Sequence, residues 1–121
     1  MNLKILLTLP LASLLLTGCA DDSPNEIDSL EAVPENVTYT QHIKPIIQNN
    51  CLFCHKNPPI NFAPMPLTEA DFVREAIQNR GLLDRISRSQ GAEGMMPNNG
   101  VRLSDVKIAT IAKWQVQGFQ N

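Results

Sequence analysis

The chain has 121 residues, a formal net charge of −2 and 43% hydrophobic residues, a composition typical of one globular domain. These values exclude collagen, wholesale disorder and a nucleic-acid-binding polycation. Only 5% of the residues are aromatic, which is few for a core of this size, so we expect a non-protein group to fill part of the interior. The three cysteines are an odd number, which requires an explanation if the chain is exported.

Residues 1–18 have the pattern of a signal peptide. A short basic start ends at Lys4, and an apolar run follows from Ile5 to Leu16. As a helix this run would span about 18 Å, well short of the roughly 30 Å hydrocarbon core of a membrane. It therefore predicts a cleaved export signal and not a permanent membrane span.

The apolar run ends in Leu16-Thr17-Gly18-Cys19, which resembles the lipobox of bacterial lipoproteins. The resemblance implies that Cys19 is acylated and becomes the mature N-terminus, and several acyl chains together make a stable membrane anchor. Ala20 follows the cysteine, and in the sorting rule of enterobacterial lipoproteins a residue other than Asp at this position favours the outer membrane. The alternative is an ordinary signal peptide cleaved nearby, which would leave a free thiol at Cys19.

Residues 19–36 are predicted to form the lipidated N-terminus and an acidic, flexible tether. Six of the chain's twelve acidic residues lie between Asp21 and Asn36, with two prolines and few apolar side chains. Such a segment cannot bury enough apolar surface to fold. The remaining domain, residues 37–121, has six acidic and nine basic residues, a net charge of +3. Two interpretations of this charge are open, solubility alone and a surface for a partner.

The first two helices of this domain are predicted from the spacing of apolar residues and from the residues that begin or end helices. The first covers about Ile43–Asn50, with Pro45 near its first turn, where proline is tolerated. The second covers about Glu69–Asn79 and is capped by Thr68. Its apolar residues recur at helical spacing: Phe72, Val73, Ala76 and Ile77.

Two further helices complete the prediction. Gly81 ends the second helix, and Leu82–Ser87 can add a short one. The last helix covers Asp105 to about Gln117, with Ser104 as its N-cap and Gly118 as its C-cap. Its inner side is marked by Ile108, Ile111, Ala112, and Trp114 or Gln115. No strand pattern of comparable strength occurs.

The segment Cys51-Leu52-Phe53-Cys54-His55 directly follows the first predicted helix, and C-x-x-C-H is the attachment sequence of c-type haem. Two residues between the cysteines allow both sulfurs to reach the two vinyl-derived carbons on one porphyrin edge. The adjacent histidine can then ligate the iron. The motif predicts one covalent haem c held by Cys51, Cys54 and His55, and no cysteine is left over if Cys19 carries lipid.

The same motif has three weaker interpretations. A structural zinc site needs four ligands, whereas this segment offers three and no matching pair occurs elsewhere. A thioredoxin-like C-x-x-C follows a strand and opens a helix, whereas this one closes a helix. A disulfide between Cys51 and Cys54 would leave His55 without a role.

A methionine pair in the later glycine-rich loop offers the sixth iron ligand. Met95 and Met96 are followed by Pro97, and a thioether opposite histidine raises the reduction potential of haem. The chain's other histidine, His42, makes a bis-histidine site an alternative. A methionine is more often a flexible core filler than a ligand, and we expect Met65 to pack against the haem.

The order of helix, C-x-x-C-H, Met-Pro and terminal helix resembles that of class I cytochromes c. It is similar to the small cytochrome c domains of exported bacterial proteins, over about residues 39–119. The loop departs from that pattern after the Met-Pro pair, where asparagines replace the usual proline or glycine. The matching motifs are Ile43-Lys44-Pro45-Ile46, Met96-Pro97, Leu103-Ser104-Asp105 and Ile111-Ala112-Lys113-Trp114 with Gly118.

The resemblance implies an all-α, cytochrome c-like fold in which three to four helices surround one covalently attached haem. It implies that Met96, directly before the proline, is the axial ligand opposite His55. It also implies that a proline carbonyl about ten residues after His55, best matched by Pro64, holds the ring Nδ1–H. Trp114 would lie beside the haem or, equally, pack against the first helix.

An iron with six ligands has no vacant position for a substrate, so the expected function is one-electron transfer and not catalysis. The expected partners are membrane lipid, through acylated Cys19, and membrane-associated redox proteins that touch the surface around Lys44, Phe53 and Lys56. No nucleic acid is expected. The predicted location is the periplasmic side of a bacterial membrane. Alternatives are a ligand-binding sensor lipoprotein, with Met96 weakly bound, and an accessory subunit that feeds electrons to a larger redox complex.

Overall fold

The computed structural model describes residues 32–98 and 100–121, so the predicted signal peptide, Cys19 and most of the predicted tether lie outside the described residues. The described part forms helices α1 (Lys44–Asn50), α2 (Ala70–Asn79), α3 (Leu82–Ser87) and α4 (Asp105–Val116), and a π-helical turn (Tyr39–Ile43) leads directly into α1. It contains no strand, which confirms the all-α class. None of its helices is both long and apolar enough to cross a membrane.

The helical segment before the C-x-x-C-H motif begins earlier than predicted. Thr38 caps the π turn by accepting the backbone N–H of Gln41 at 3.4 Å. Pro45 lies in the first turn of α1, where a backbone N–H is not needed for a hydrogen bond within the helix. Ile43 and Ile47 are almost completely buried, so this segment packs its apolar side into the core just before the motif.

Helix α2 begins one residue later than predicted. Glu69 occupies the N-cap position and makes no side-chain cap bond, so the prediction that Thr68 caps this helix was wrong. The buried side consists of Val73, Ala76 and Ile77, as the spacing predicts, but Phe72 is 39% exposed because it lies at the margin of that side.

Glycine makes the corner between α2 and α3. Gly81 has φ +67°, a left-handed conformation that side chains with a Cβ rarely adopt. After the corner, α3 contacts both α2 and α4. The prediction of a short helix over Leu82–Ser87 is confirmed.

Helix α4 supplies the centre of the core. Its N-cap Ser104 accepts the N–H of Lys107 at 3.4 Å, as predicted. Trp114 is completely buried, with its ring centroid 5.6 Å from that of Tyr39 and 4.8 Å from that of Phe119. Its Nε1–H donates to the backbone carbonyl of Gln120 at 2.7 Å. Trp114 therefore packs against the π turn that precedes α1.

The end of the predicted tether is attached to the C-terminus of α4. Gln117 donates from Nε2 to the carbonyl of Glu35 at 2.7 Å and accepts the N–H of Val37 with Oε1 at 2.8 Å. Val37 is completely buried. The folded domain thus includes Glu35, two residues before the predicted boundary.

The almost complete burial of Ile47 predicts a large loss of stability when its side chain is shortened. We expect Ile47→Ala to lower the free energy of unfolding by about 2–5 kcal/mol, because it removes buried methylenes and leaves a cavity. The exposed neighbour Gln48 on the same helix is the control. Gln48→Ala should change the free energy of unfolding by less than about 0.5 kcal/mol. Urea unfolding measures both, and equal effects would contradict the packing.

Candidate functional site

The C-x-x-C-H motif forms a tight turn at the end of α1. The N–H of Cys51 donates to the carbonyl of Ile47 at 2.8 Å, and the N–H of His55 donates to the carbonyl of Cys51 at 3.0 Å. This turn places Cys51, Cys54 and His55 around one cavity. Phe53, between the cysteines, also borders the cavity but is 80% exposed.

His55 is buried and held by the loop that follows it. Its Nδ1 lies 2.8 Å from the backbone carbonyl of Met65. Because a carbonyl only accepts, Nδ1 carries a proton, and in the neutral ring the lone pair is on Nε2. No other side-chain hydrogen bond of His55 occurs among the described residues. Every fully buried side-chain nitrogen among these residues has a hydrogen-bond partner. Nε2 of His55 has none, so it is not fully buried, and it is accessible from the cavity that His55 lines.

The partner of the ring nitrogen differs from the prediction. The N–H of Leu67 donates to the carbonyl of His55 at 2.8 Å, and this bond sets the register between the loop and the motif. The register brings the carbonyl of Met65, ten residues after the histidine, to the ring. The assignment of this role to Pro64 was therefore wrong by one residue. Both residues line the cavity.

The cavity has a volume of about 780 Å³, within the roughly 300–1,000 Å³ of typical small-molecule and cofactor pockets. Its walls come from the motif, from the following loop, from the α2–α3 corner and from the methionine loop. Besides the motif residues and Asn50, they are Asn61, Phe62, Ala63, Pro64, Met65, Leu67, Arg80, Leu82, Arg85, Ile86, Met96, Pro97 and Asn98.

Of the candidate ligands opposite His55, the structure brings Met96 to the cavity. Met95 is only 5% exposed and is not among the cavity walls. His42 borders a separate groove of about 280 Å³, and its Nδ1 accepts the N–H of Thr38 at 3.0 Å. The structure therefore does not bring His42 and His55 together as a bis-histidine pair would require.

Both cysteines of the motif are free thiols. Burial raises the pKa of the Cys51 thiol to about 11, so this sulfur is neutral at physiological pH. The side-chain amide of Asn61 approaches the sulfur of Cys54 at 3.5 Å. Within residues 32–98 and 100–121, no three His, Cys, Asp or Glu side chains are grouped to hold a metal ion.

Several residues of the cavity wall were not singled out from the sequence, and the most notable are Arg80, Arg85 and Phe62. Among the described residues, Arg80 and Arg85 are the only Asp, Glu, Lys or Arg side chains that line the cavity, and Phe62 stands fully exposed at its edge. The arginines reach the cavity because the corner at Gly81 and the first turns of α3 form part of its wall. A basic residue on each side of a glycine was visible in the sequence, but nothing local showed which way the corner turns.

Comparisons with known proteins add no relatives. No family model matches the chain, and neither a curated protein nor a solved structure matches it significantly.

The raised pKa of Cys51 predicts a distinct pH profile for its alkylation. In the chain with Cys19→Ala and Cys54→Ala, the alkylation rate at Cys51 should keep rising until about pH 11, whereas in urea it should level off near about pH 8.5. Because the fold favours the neutral thiol, the free energy of unfolding should fall between these two pH values. A folded-state rate that levels off near the unfolded value would contradict the burial.

Proposed function

We propose that this chain is a mono-haem c-type cytochrome that carries single electrons at a membrane surface. The observation that carries the proposal is the state of His55: Nδ1 donates to the Met65 carbonyl, and Nε2 opens to a cavity that Cys51, Cys54 and Met96 also line. A histidine held in this way, with one ring nitrogen on a carbonyl and the other available, is the usual arrangement of a metal ligand.

The residues around the cavity fit a haem. Two thiols and an imidazole nitrogen stand on the motif side, and the methionine loop contributes a thioether to the same cavity. Most other wall residues are apolar, which suits a flat and largely hydrophobic macrocycle. This supports the further proposal that the helices form a cytochrome c-like fold around the group.

Each of these residues has a defined role in the proposal. The thiols of Cys51 and Cys54 would hold the haem through two thioether bonds, each made by addition of an S–H across a vinyl group so that the thiol hydrogen goes to the neighbouring carbon. His55, through Nε2, and Met96, through its sulfur, would ligate the iron. When bound, haem supplies a one-electron couple between ferric and ferrous iron, and its potential is raised by His/Met ligation.

The loop after the motif keeps the imidazole in place. The Met65 carbonyl holds the proton on Nδ1 and orients the ring, while the bond from Leu67 N–H to His55 O fixes the loop that carries this carbonyl. Hydrogen bonding at Nδ1 also makes Nε2 more basic and therefore a stronger ligand for a metal ion. A ligand that does not rearrange between oxidation states favours rapid electron transfer.

The presence of Met96 in the cavity favours an electron carrier over a ligand-binding sensor. A sensor needs a position that a diatomic ligand can take, whereas Met96 stands at the same cavity as His55. The exposed Phe53 beside the motif, together with the exposed Lys44 and Lys56, is the surface we propose for a redox partner. An electron-feeding role within a larger redox complex would use the same surface.

The N-terminal sequence supports a membrane location. In the proposal, residues 1–18 direct export, and acylated Cys19 anchors the chain at the periplasmic side of a membrane, with the outer membrane favoured by Ala20. The fifteen residues between Cys19 and Glu35 span at most about 50 Å. Such a leash raises the effective concentration of membrane-bound redox partners around the domain.

A pyridine haemochrome spectrum and an intact mass test the proposed cofactor and anchor together. The full chain, exported in a bacterium that attaches haem c, should gain the mass of one haem and show the spectrum of a haem with two thioether bonds. The double variant Cys51→Ala, Cys54→Ala should lose the covalent haem. Cys19→Ala is the control, because it should lose the lipid and keep the haem; an unsubstituted chain without haem would refute the proposal.

The two neighbouring methionines provide a matched test of the axial ligand. Met96→Ala should lower the reduction potential, because thioether ligation favours ferrous iron, and should allow rapid carbon monoxide binding to the reduced protein. Met95→Leu should leave both properties close to those of the unsubstituted protein, since Met95 does not line the cavity. Rapid and complete carbon monoxide binding before any substitution would favour the sensor.

A further inference from the structure

Helix α3 holds the methionine loop through two arginines. Nη1 of Arg85 donates to the carbonyl of Gly94 at 3.2 Å, and Nη1 of Arg88, just after α3, donates to the carbonyl of Glu93 at 2.7 Å. The backbone carbonyl of Arg85 accepts the N–H of Met96 at 3.0 Å. These three bonds, which we call the arginine clamp, join α3 to the segment that ends at Met96.

The backbone at Gly94 is shaped to admit both guanidinium groups. A Cβ at this position would lie 2.5 Å from Nη1 of Arg88 and 2.6 Å from Nη1 of Arg85. These distances are shorter than real Cβ contacts, and φ is +69°. The positive φ favours glycine at this position, and a side chain there would also displace the ends of the two arginines from the loop.

The charges around the clamp direct the two arginines differently. Asp84 accepts from Nη2 of Arg88 at 2.6 Å and from Nε at 3.1 Å, which orients the remaining nitrogen toward the loop. Arg85 forms no ion pair within the described part of the chain, and it also lines the cavity. Hydrogen bonds from a charged donor are stronger than neutral ones.

We infer that Arg85 and Arg88 are positioning residues that keep the thioether of Met96 at the cavity. The inference rests on the proposed function, in which Met96 ligates the haem iron. Met96 lies on a loop and not on a helix, and a ligand on a loop is held precisely only when its surroundings support it. The clamp connects this loop to α3, which packs against both α2 and α4.

The rate of carbon monoxide binding to the reduced holoprotein tests the clamp. Carbon monoxide competes with Met96 for iron, so its binding rate reports how often the thioether leaves. We expect Arg88→Met to raise this rate about tenfold or more, the factor that one charge-assisted hydrogen bond represents, and to weaken the sulfur-to-iron charge-transfer band of the oxidised protein. Arg88→Lys should have an intermediate effect, because one ammonium cannot serve Asp84 and Glu93 equally well.

Asp84→Asn is a milder variant that touches Arg88 and not the loop. It should raise the rate less than Arg88→Met does, and adding it to Arg88→Met should bring little further change, because both act through the same contact. Arg74→Met is the control: Arg74 also pairs with an acid, Asp71, but on α2 and away from the loop. It should leave the rate and the band unchanged.

The outcomes separate this inference from the proposed function. If the unsubstituted protein binds no haem, or if Met96→Ala leaves the charge-transfer band intact, the proposed function or its axial ligand is refuted, and the clamp with it. If the unsubstituted protein and Met96→Ala behave as proposed, while Arg88→Met and Asp84→Asn bind carbon monoxide at the unsubstituted rate, only the clamp is refuted. An equal increase in Arg74→Met would assign the effect to general destabilisation and refute it as well.

Discussion

The hydrogen bond between Nδ1 of His55 and the carbonyl of Met65 is the interaction on which the candidate site depends. A backbone carbonyl has no proton to give, so this bond decides which tautomer the ring adopts. It also decides which way the available nitrogen points, because the ring is buried and its other edge meets the cavity. Without it the imidazole would be one more core side chain. With it the ring presents a lone pair to a cavity of cofactor size.

The loop that provides this carbonyl is ordered by very few bonds. The bond from Leu67 N–H to His55 O joins the end of the proline-rich loop, residues 56–66, to the C-x-x-C-H motif. Local turns, such as that from Ala63 N–H to Ile60 O, shape the path between. Eleven of the eighteen wall residues are close to the motif in sequence. The other seven belong to the α2–α3 corner, to α3 and to the methionine loop, which only the tertiary fold brings to the cavity.

The methionine loop has a defined position although it has no secondary structure of its own. Gly94 has no side chain, and two guanidinium groups lie close to its backbone. Asp84 supplies the countercharge that keeps Arg88 in place. Exposed ion pairs of this kind add little to overall stability. Their contribution here is geometric, since they restrict the position of the segment that precedes Met96.

Much of the fold follows from local patterns in the sequence. The positions of α3 and α4, Pro45 in a first turn and Ser104 as a cap were all predictable, because helix starts, stops and apolar spacing are properties of neighbouring residues. The errors also have local causes. Thr68 lies one residue too early to cap α2, and nothing in the sequence around Phe72 indicated that it stands at the edge of the buried face.

The chemical groups of the candidate site are visible in the sequence: two thiols and an imidazole at C-x-x-C-H spacing, and two candidate thioethers in one later loop. The folded chain was needed to assign the carbonyl of Met65 to the ring, to bring Met96 and not Met95 to the cavity, and to place His42 at another groove. The reason is physical. Spacing along the chain constrains which atoms can meet within one turn, whereas contacts between distant segments depend on how the helices pack and where Gly81 turns the chain.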